Sequence, residues 1–157
     1  MVHLSHLKMY KNIYVKSFTE LDHEELYQIL DLRLRVFILE QHCFYQDTDG
    51  KDVVSLHYFV KDGERIVSYI RLIPPGYKYN EYAISRVVTD PDYRQLGLAS
   101  KMIKKIMEDI QSNIRISGQA YLKSYYEILG FSVVHGPYME DDIPHYEMLY
   151  IHHNHEV

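Results

Sequence analysis

A run of small residues follows an apolar segment within residues 84–100 and has the composition of an anion-binding loop. Residues 84–89 read as a central strand, and an amphipathic helix pattern begins directly after the loop. Between them, Arg94 is followed by Gly97 and Ala99, whose small side chains leave backbone N–H groups bare at the helix start. Such groups and the helix dipole suit a pyrophosphate, and Arg94 can add a charge-assisted hydrogen bond. Many αβ units have small residues at this turn, so the pattern does not specify a function by itself.

A second segment, residues 118–131, places two tyrosines on a predicted helix. Tyr125 and Tyr126 are adjacent, so they point in different directions, and Gly130 has the position of a C-terminal cap. A phenol hydroxyl within hydrogen-bond reach of a leaving group can act as its general acid. Residue type alone favours a different interpretation, in which both tyrosines pack in the core with satisfied hydroxyls.

Two acidic segments, residues 40–52 and 140–145, supply candidates for a general base. A single carboxylate is usually a solvated charge, but clustered ionisable groups can attract a cation and accept a proton. We favour Glu40 or Glu140, followed by His145, and interpret His57 as a structural histidine because it lies in a predicted strand. The full set of candidates is Glu40, Asp49, His57, Glu140 and His145.

Arg33 lies at helical spacing on the apolar face of the first predicted helix. A buried arginine needs a carboxylate partner. Either Asp49 or Asp52 in the acidic segment would serve as that partner.

Hydrophobic periodicity predicts a mixture of strands and helices in an α+β arrangement. Residues 40–54 have no clear period and are predicted to form a long loop with room for a short helical turn. No repeat, linker or low-complexity tract divides the chain, so we expect residues 1–157 to form a single domain. Strands are predicted at residues 13–18, 55–60, 65–73, 83–89, 114–117, 131–134 and 147–151, and helices at residues 26–37, 98–110 and 121–129.

Composition and charge argue against several classes of protein. The chain has 157 residues and a formal net charge of −5, which disfavours a nucleic-acid partner bound through its phosphates. Its one cysteine, Cys43, can form no intrachain disulfide, so we expect a cytoplasmic location. No long apolar run predicts a membrane segment. The tail His152-His153-Asn154-His155 matches no closed metal site, so no metal is expected.

Together, residues 84–100 and 118–131 resemble the motifs of the GNAT superfamily of acetyl-CoA-dependent N-acetyltransferases. The resemblance extends to the ElaA-like branch of that superfamily and covers the chain from about Leu26 to Met148. It implies a mixed central sheet of about six or seven strands, flanked by helices, with splayed central strands. The further matching segments are Leu32-Arg33-x-Arg35-Val36-Phe37-x-x-Glu40-Gln41, Tyr45-Gln46-Asp47-x-Asp49-Gly50-x-Asp52, His57, Arg71-Leu72-x-Pro74, Arg86-Val87 and Glu140-Asp141-x-Ile143-Pro144-His145.

The resemblance also implies an activity, in which acetyl-CoA is a co-substrate and the acetyl group passes by direct attack to a primary amine of a small molecule or peptide. Tyr126, in Tyr-Glu-x-x-Gly-Phe, would lie near the cofactor sulfur as the acid, and the two acidic segments would converge on the acetyl end. A backbone N–H near Val88 would face the thioester oxygen. We expect a monomer or homodimer with no nucleic-acid or membrane partner. The implied cofactor-binding residues are Val87, Val88, Thr89, Arg94, Gln95, Leu96, Gly97, Leu98, Ala99, Ser100, Gln119 and Tyr126.

Departures from the family pattern leave alternatives open. Gln95 stands where the phosphate loop often has glycine, so the loop must take a negative φ there or be strained. Acyl-homoserine-lactone synthases share Arg33 with Phe37 and the Arg-Leu-x-Pro of residues 71–74, but they typically have glutamate at the place of Ala83. A non-catalytic CoA-binding regulator is a third possibility, which would keep the phosphate loop and tolerate loss of the tyrosine.

Overall fold

The structure is a computed structural model and describes residues 12–154. Seven strands in this part of the chain form one mixed sheet in the order β1-β2-β3-β4-β5-β7-β6. The strands are β1 (Ile13–Ser17), β2 (Leu56–Asp62), β3 (Arg65–Ile73), β4 (Tyr82–Thr89), β5 (Ile114–Gln119), β6 (Phe131–Glu140) and β7 (Ile143–Tyr150). The α-helices are α1 (His23–Arg33), α2 (Leu98–Ile110) and α3 (Lys123–Ile128).

The first helix begins at a reciprocal cap and ends in an unusual turn. The Asp22 side chain accepts the Glu25 N–H, and the Glu25 carboxylate accepts the Asp22 N–H. After Arg33 the chain continues as a π-helical segment, Leu34–Glu40. Such segments are rare and are often found at functional sites. The π-helical segment leads from the core under α1 towards the gap between β4 and β5.

The two central strands separate after a short paired stretch. β4 and β5 pair in parallel only from Tyr82 with Ile114 to Ile84 with Ile116. On its other side β4 carries a bulge, because two residues, Arg86 and Val87, lie opposite one residue of β3. The splay of the central strands, expected from the family resemblance, is therefore confirmed. It leaves one edge of the second half of β4 unpaired.

Two apolar cores cover the two faces of the sheet. The larger lies under α2, whose buried residues Leu98, Met102, Ile103 and Ile106 form the stripe that periodicity predicts. The smaller lies under α1 and includes Ile29, Leu32 and Val88. Within residues 12–154, none of the helices has both the length and the apolar composition needed to span a membrane.

The C-terminal hairpin differs from the sequence prediction. Residues 140–145 were expected to form an acidic loop, but Glu140 ends β6 and a tight two-residue turn at Asp141 and Asp142 leads directly into β7. Both turn residues have left-handed φ values, 49° and 62°, as a type I′ hairpin turn requires. The sequence concealed the length of β6 because most of its residues are exposed, so the strand lacks an apolar alternation.

Candidate active site

A pocket of about 400 Å³ lies where β4 and β5 separate. Ile84 and Ile116 of these two strands line it, together with Tyr126, Glu140 and His145. A larger cavity of about 560 Å³ lies beside the C-terminal end of α2 and includes none of the sequence-predicted site residues. The smaller pocket includes Val87, Gln119, Tyr126, Glu140 and His145 from the predicted set, so we take it as the candidate active site; Glu40 and residues 94–100 are not in its lining.

Tyr126 presents a free hydroxyl in this pocket. The residue is 3% exposed, and its ring packs edge-on against Phe131. A Cβ at Gly118 would lie 3.0 Å from the ring, so glycine is needed there. No residue within 12–154 hydrogen-bonds to the Tyr126 hydroxyl. Burial raises the pKa of Tyr126 above its usual value, so the phenol remains protonated and can donate.

Tyr125 is occupied elsewhere, as its position on the helix predicted. Its hydroxyl lies 2.7 Å from the Ser100 hydroxyl, on the side of α2. Since Tyr125 does not line the pocket, the two adjacent tyrosines have different surroundings.

The predicted pyrophosphate loop has the shape of an anion site. The first helical hydrogen bond of α2 runs from the Lys101 N–H to the Gly97 carbonyl, so the N–H groups of Leu98, Ala99 and Ser100 have no intrahelical acceptor. Gly97 has a left-handed φ of 73°, and no atom lies within 4 Å of where its Cβ would be. This open space over bare N–H groups fits a phosphate group.

The sequence left Gln95 either a negative φ or a strained positive φ, and the structure has the positive one. Its φ is 67°, in the left-handed region that glycine occupies more easily. The two left-handed residues, Gln95 and Gly97, wrap the loop into the start of α2.

Arg94 forms an ion pair with Glu40, which was predicted from the sequence as a candidate general base. Its guanidinium donates to both oxygens of Glu40, at 2.8 and 3.0 Å, and to the Thr89 carbonyl at 3.2 Å. Glu40 does not line the pocket. Glu40 therefore lies at the phosphate loop, because the π-helical segment places it beside Arg94, and a catalytic role for Glu40 stays a prediction.

Glu140 and His145 do meet, and both line the pocket. His145 Nε2 lies 3.3 Å from Glu140 Oε2, and the Ser117 hydroxyl donates to the same oxygen at 3.1 Å. His145 Nδ1 lies 2.7 Å from the Ile143 carbonyl, which can only accept, so Nδ1 carries a proton. The carboxylate and the other ring nitrogen are thus left to exchange a proton with a ligand or with solvent.

The remaining base candidates have structural roles. His57 is buried between the Tyr69 hydroxyl at 2.7 Å and the Asp52 carbonyl at 2.9 Å, as its position in a strand predicted. Burial alone would raise the pKa of Asp49, but two hydrogen bonds from Arg71 hold that pKa far below its usual range. Because Asp49 remains an ion-paired carboxylate, it is a poor proton acceptor.

A network of arginines and aspartates holds the acidic loop against the sheet. Arg33 bonds Asp47 at 2.8 Å and Asp52 at 2.7 Å, so the predicted partner Asp52 is confirmed and Asp49 is wrong. Asp49 bonds Arg71 instead. The roles of Asp47, Arg71 and Arg86 were missed, although an arginine inside the apolar run of residues 65–73 is a signal that could have been read.

Arg86 is the member of this network that reaches the pocket. It has a left-handed φ of 55° in the β4 bulge, and its guanidinium lies 5.1 Å from the Tyr45 ring centroid. Its Nε is 2.9 Å from Asp47 Oδ1 without hydrogen-bond geometry, while Nη2 donates to the Asp47 carbonyl at 3.0 Å. The strained bulge is therefore anchored by ionic contacts.

Other predicted cofactor residues divide between the pocket and the core. Gln119 lines the pocket and donates to Gln41 at 3.1 Å, but its side chain does not cap the following turn. Val87 lines the pocket, whereas Val88 packs in the core under α1 and pairs with Tyr69 of β3. Arg86 and Val87 therefore line the pocket between the strands, while the side chain of Val88 lies in the core, and the role of a backbone N–H near Val88 stays a prediction.

No cluster of three or more His, Cys, Asp or Glu residues within the described part of the chain is arranged to hold a metal ion. Of the C-terminal histidines, His152 bonds Asn154 at 3.1 Å, and His155 lies outside the described residues.

Comparison with known proteins gives matches across most of the chain. Residues 21–151 match the model of the GNAT acetyltransferase domain family. A UPF0039 protein of Schizosaccharomyces pombe is 36% identical over 140 residues, covering 85% of this chain and 92% of that protein. The ElaA protein of Escherichia coli is 31% identical over 137 residues, covering 83% and 90% of the two chains.

Solved structures match the fold over a similar span. An acyl-CoA N-acyltransferase from Pseudomonas aeruginosa has a TM-score of 0.82 and 33% identity, covering 88% of this chain and 99% of that one. The crystal structure of E. coli ElaA has a TM-score of 0.81, covering 88% and 98%. At 15–16% identity, the fold alone is shared with an aminoglycoside 6'-N-acetyltransferase complexed with coenzyme A and with a CoA-dependent acyl-homoserine lactone synthase bound to isopentyl-CoA.

The span matched by the family model, residues 21–151, includes the separated central strands and the loop at the start of α2. Relatives above 30% identity extend over most of their own length as well as most of this chain. The chain therefore belongs to the GNAT acetyltransferase family, with ElaA and UPF0039 proteins among its relatives.

Proposed function

We propose that this protein is an N-acetyltransferase that moves an acetyl group from acetyl-CoA to a primary amine of a small molecule or peptide by direct attack in a ternary complex. The observation that carries this proposal is the free hydroxyl of Tyr126, on a buried ring at the point where β4 and β5 separate. A protonated phenol with no protein partner at this place is suited to a leaving group that gains negative charge. Family membership makes acyl transfer the reaction to expect.

The donor side is the loop before α2 and the unpaired edge of β4. The bare N–H groups at the start of α2, with Arg94, would hold the pyrophosphate of acetyl-CoA. When bound, acetyl-CoA supplies an activated thioester. Backbone N–H groups of residues 86–88, on the edge of β4 that β5 leaves unpaired, would polarise the thioester carbonyl.

On the acceptor side, Glu140 and His145 would take the proton that the amine must lose. Both line the same pocket as Tyr126, and Ser117 donates a hydrogen bond to the Glu140 carboxylate. One pocket thus holds an acid and a base, as direct attack requires, because the amine must lose a proton and the thiolate must gain one. A cytoplasmic location, where acetyl-CoA is made available and Cys43 stays reduced, completes the proposal.

Release of free thiol from acetyl-CoA, measured with a panel of primary amines, tests the activity. In this assay Tyr126→Phe should lower kcat by about 10- to 1000-fold while leaving CoA affinity almost unchanged, because the hydroxyl is needed only when charge develops on sulfur. Tyr125→Phe is the matched control, since it removes a hydroxyl that bonds Ser100 outside the pocket. Equal losses in the two variants would show that Tyr126 is not the acid.

A further inference from the structure

Lys78 is a cation in the pocket wall that has no ionic partner in the described chain. It lies in the loop between β3 and β4 and lines the same pocket as Glu140 and His145. Its ammonium makes no hydrogen bond or ion pair with any residue of 12–154, and the contact it does make is with the Tyr79 ring, at 5.4 Å. Arg86, the other full cation in the lining, is already paired with Asp47 and Asp49.

Lys78 borders two cavities, the candidate active site and a second cavity of about 400 Å³ that Glu81, Arg115 and Glu147 also line. The residue is exposed to solvent, yet the protein around it is dense enough for desolvation to lower the pKa of Lys78. A group that is both accessible and surrounded lies in a concavity, whereas a lysine extended from a convex surface is accessible and little desolvated. Glu140, which lines the candidate active site, raises the pKa of Lys78, whereas Arg86, Arg71 and Lys51 lower it, so these four groups lie within electrostatic reach of the ammonium.

Lys78 belongs to the acceptor side of the pocket. It precedes the first residue of β4, while Arg94 and the phosphate loop follow the last residue of that strand. The two cations therefore lie towards opposite ends of β4, so Lys78 is poorly placed for the cofactor pyrophosphate. The carboxylates of Glu140 and Asp141 line the pocket together with Lys78. Both signs of charge are thus available to a ligand that enters there.

We propose that the acceptor is a small amine that also carries an anionic group, and that Lys78 binds this group. The inference rests on the proposed acetyl transfer and deepens it by naming the class of acceptor. The amine would face Glu140 and His145, and the anion would face Lys78. A volume of about 400 Å³, part of which the thioester arm must use, favours a compact acceptor over a folded protein surface.

Matched pairs of amines test this assignment in the thiol-release assay. The pairs are β-alanine against n-propylamine, γ-aminobutyrate against n-butylamine, and O-phosphoethanolamine against ethanolamine. We expect kcat/KM to favour the anionic member of at least one pair about tenfold, as one charged hydrogen bond allows. The third pair distinguishes a phosphate from a carboxylate as the anion.

Variants at Lys78 then link the preference to this side chain. Lys78→Gln should lower the ratio of kcat/KM for the anionic over the neutral amine about tenfold, Lys78→Arg should retain most of it, and Lys78→Glu should reverse it. Lys104→Gln, an exposed lysine on α2, is the control and should leave the ratio unchanged. A ratio near one in every pair, or a preference that survives Lys78→Gln, would overturn the inference.

Calorimetric binding of the same amines to the CoA-loaded protein separates the inference from the function on which it rests. Binding of an anionic amine that depends on Lys78 but leads to no thiol release would support the anion site and overturn acetyl transfer to that class of amine. Turnover of neutral amines alone would support acetyl transfer and overturn the anion site. Neither binding nor turnover by any pair would overturn both.

Discussion

Glu40 and Arg94 hold each other through two hydrogen bonds on the surface of the phosphate loop. The two residues are 54 positions apart in the chain, and both side chains are 40% exposed. The hydrogen bonds with Glu40 raise the pKa of Arg94 further, so the guanidinium is always charged. A pyrophosphate at this loop would therefore have to share or displace a carboxylate that already occupies Arg94.

Removing that carboxylate should favour the cofactor. We expect Glu40→Gln to lower the dissociation constant for CoA about 2- to 5-fold, which is the range that an exposed ion pair allows. Calorimetry with CoA measures this directly. Arg94→Gln is the contrasting variant and should weaken binding. A large fall in kcat for Glu40→Gln with unchanged CoA affinity would instead return Glu40 to the role of general base.

Residues of the same type differ here in their hydrogen-bond partners, as the comparison of Tyr126 with Tyr125 and of Glu140 with Asp49 shows. Tyr126 has a buried ring and an unpartnered hydroxyl, while Tyr125 satisfies its hydroxyl with Ser100. Among the acidic residues, Asp49 forms an ion pair with Arg71, whereas Glu140 contacts the Ser117 hydroxyl and the His145 imidazole. Their catalytic roles remain predictions until the variants are measured.

The loop that starts α2 depends on glycine for its backbone as well as for its open space. Gly97 and Gly63 both have left-handed φ values, 73° and 59°, and no atom lies within 4 Å of either Cβ position. Gly97→Val and Gly63→Val should therefore each cost about 1–2 kcal/mol through backbone strain. Gly97→Val alone should also abolish the rise in Tm that CoA causes, because its side chain would enter the proposed phosphate site.

Thermal unfolding with and without CoA checks this pair of variants. Gly63 lies at the hairpin between β2 and β3, so Gly63→Val controls for strain alone. A Gly97→Val protein that kept its CoA-dependent shift would show that the pyrophosphate binds elsewhere.

The start of α1 carries a pH-sensitive contribution to stability through Glu25. Burial alone would raise the pKa of Glu25, but hydrogen bonds from Lys16, the Asp22 N–H and Lys61 outweigh it and lower the pKa to about 2. Because the folded value lies below the unfolded value of 4.5, this stabilisation is present above pH 4.5 and is lost as the pH falls towards 2.

Glu25→Gln should therefore lower the free energy of unfolding by about 2 kcal/mol at pH 7, and the difference should shrink below pH 4.5. Urea unfolding at several pH values measures it. Glu24→Gln, one residue earlier and exposed, should have little effect at any pH. A deficit in Glu25→Gln that did not change with pH would mean that the carboxylate charge is not what stabilises the helix.

The arginine–aspartate network connects α1, the acidic loop and the central strands. Asp52 accepts from Arg33 at 2.7 Å and from Arg71 at 2.9 Å, and both guanidinium groups are almost completely buried. Burial alone would raise the pKa of Asp52, but these arginines hold it below its usual value. The loop that forms part of the pocket wall is thus tied to the core of the molecule by charge.

Asp52→Asn should cost about 3–5 kcal/mol of stability, because it leaves two buried arginines incompletely paired. Asp31→Asn removes an exposed pair with Arg35 and should cost at most about 0.5 kcal/mol. Asp49→Asn, at a partly exposed site, should fall between them. Urea unfolding gives this order, and equal costs for Asp52→Asn and Asp31→Asn would contradict a structural role for the network.

Local patterns in the sequence were enough for much of the fold. The seven strands and the buried stripe of α2 follow from alternation and helical spacing, both of which act over a few positions. The motifs at Arg94–Ala99 and at Tyr126 are equally local, and they identified the family before any contact was known. The length of β6 could not be predicted in this way because an exposed edge strand carries no apolar pattern.

The pairing of charges was decided by the tertiary structure. Three aspartates, Asp47, Asp49 and Asp52, lie close together in the sequence and could each pair with Arg33. In the structure Arg33 pairs with Asp47 and Asp52, whereas Asp49 pairs with Arg71. Glu40 was separated from Glu140 by the π-helical segment and joined Arg94 instead. A charge interacts with whatever lies within a few ångströms in space, and a linear pattern offers several equivalent partners. The sequence by itself therefore determined which residue types are present and the elements that carry them, while the folded geometry determined which of those residues share a pocket.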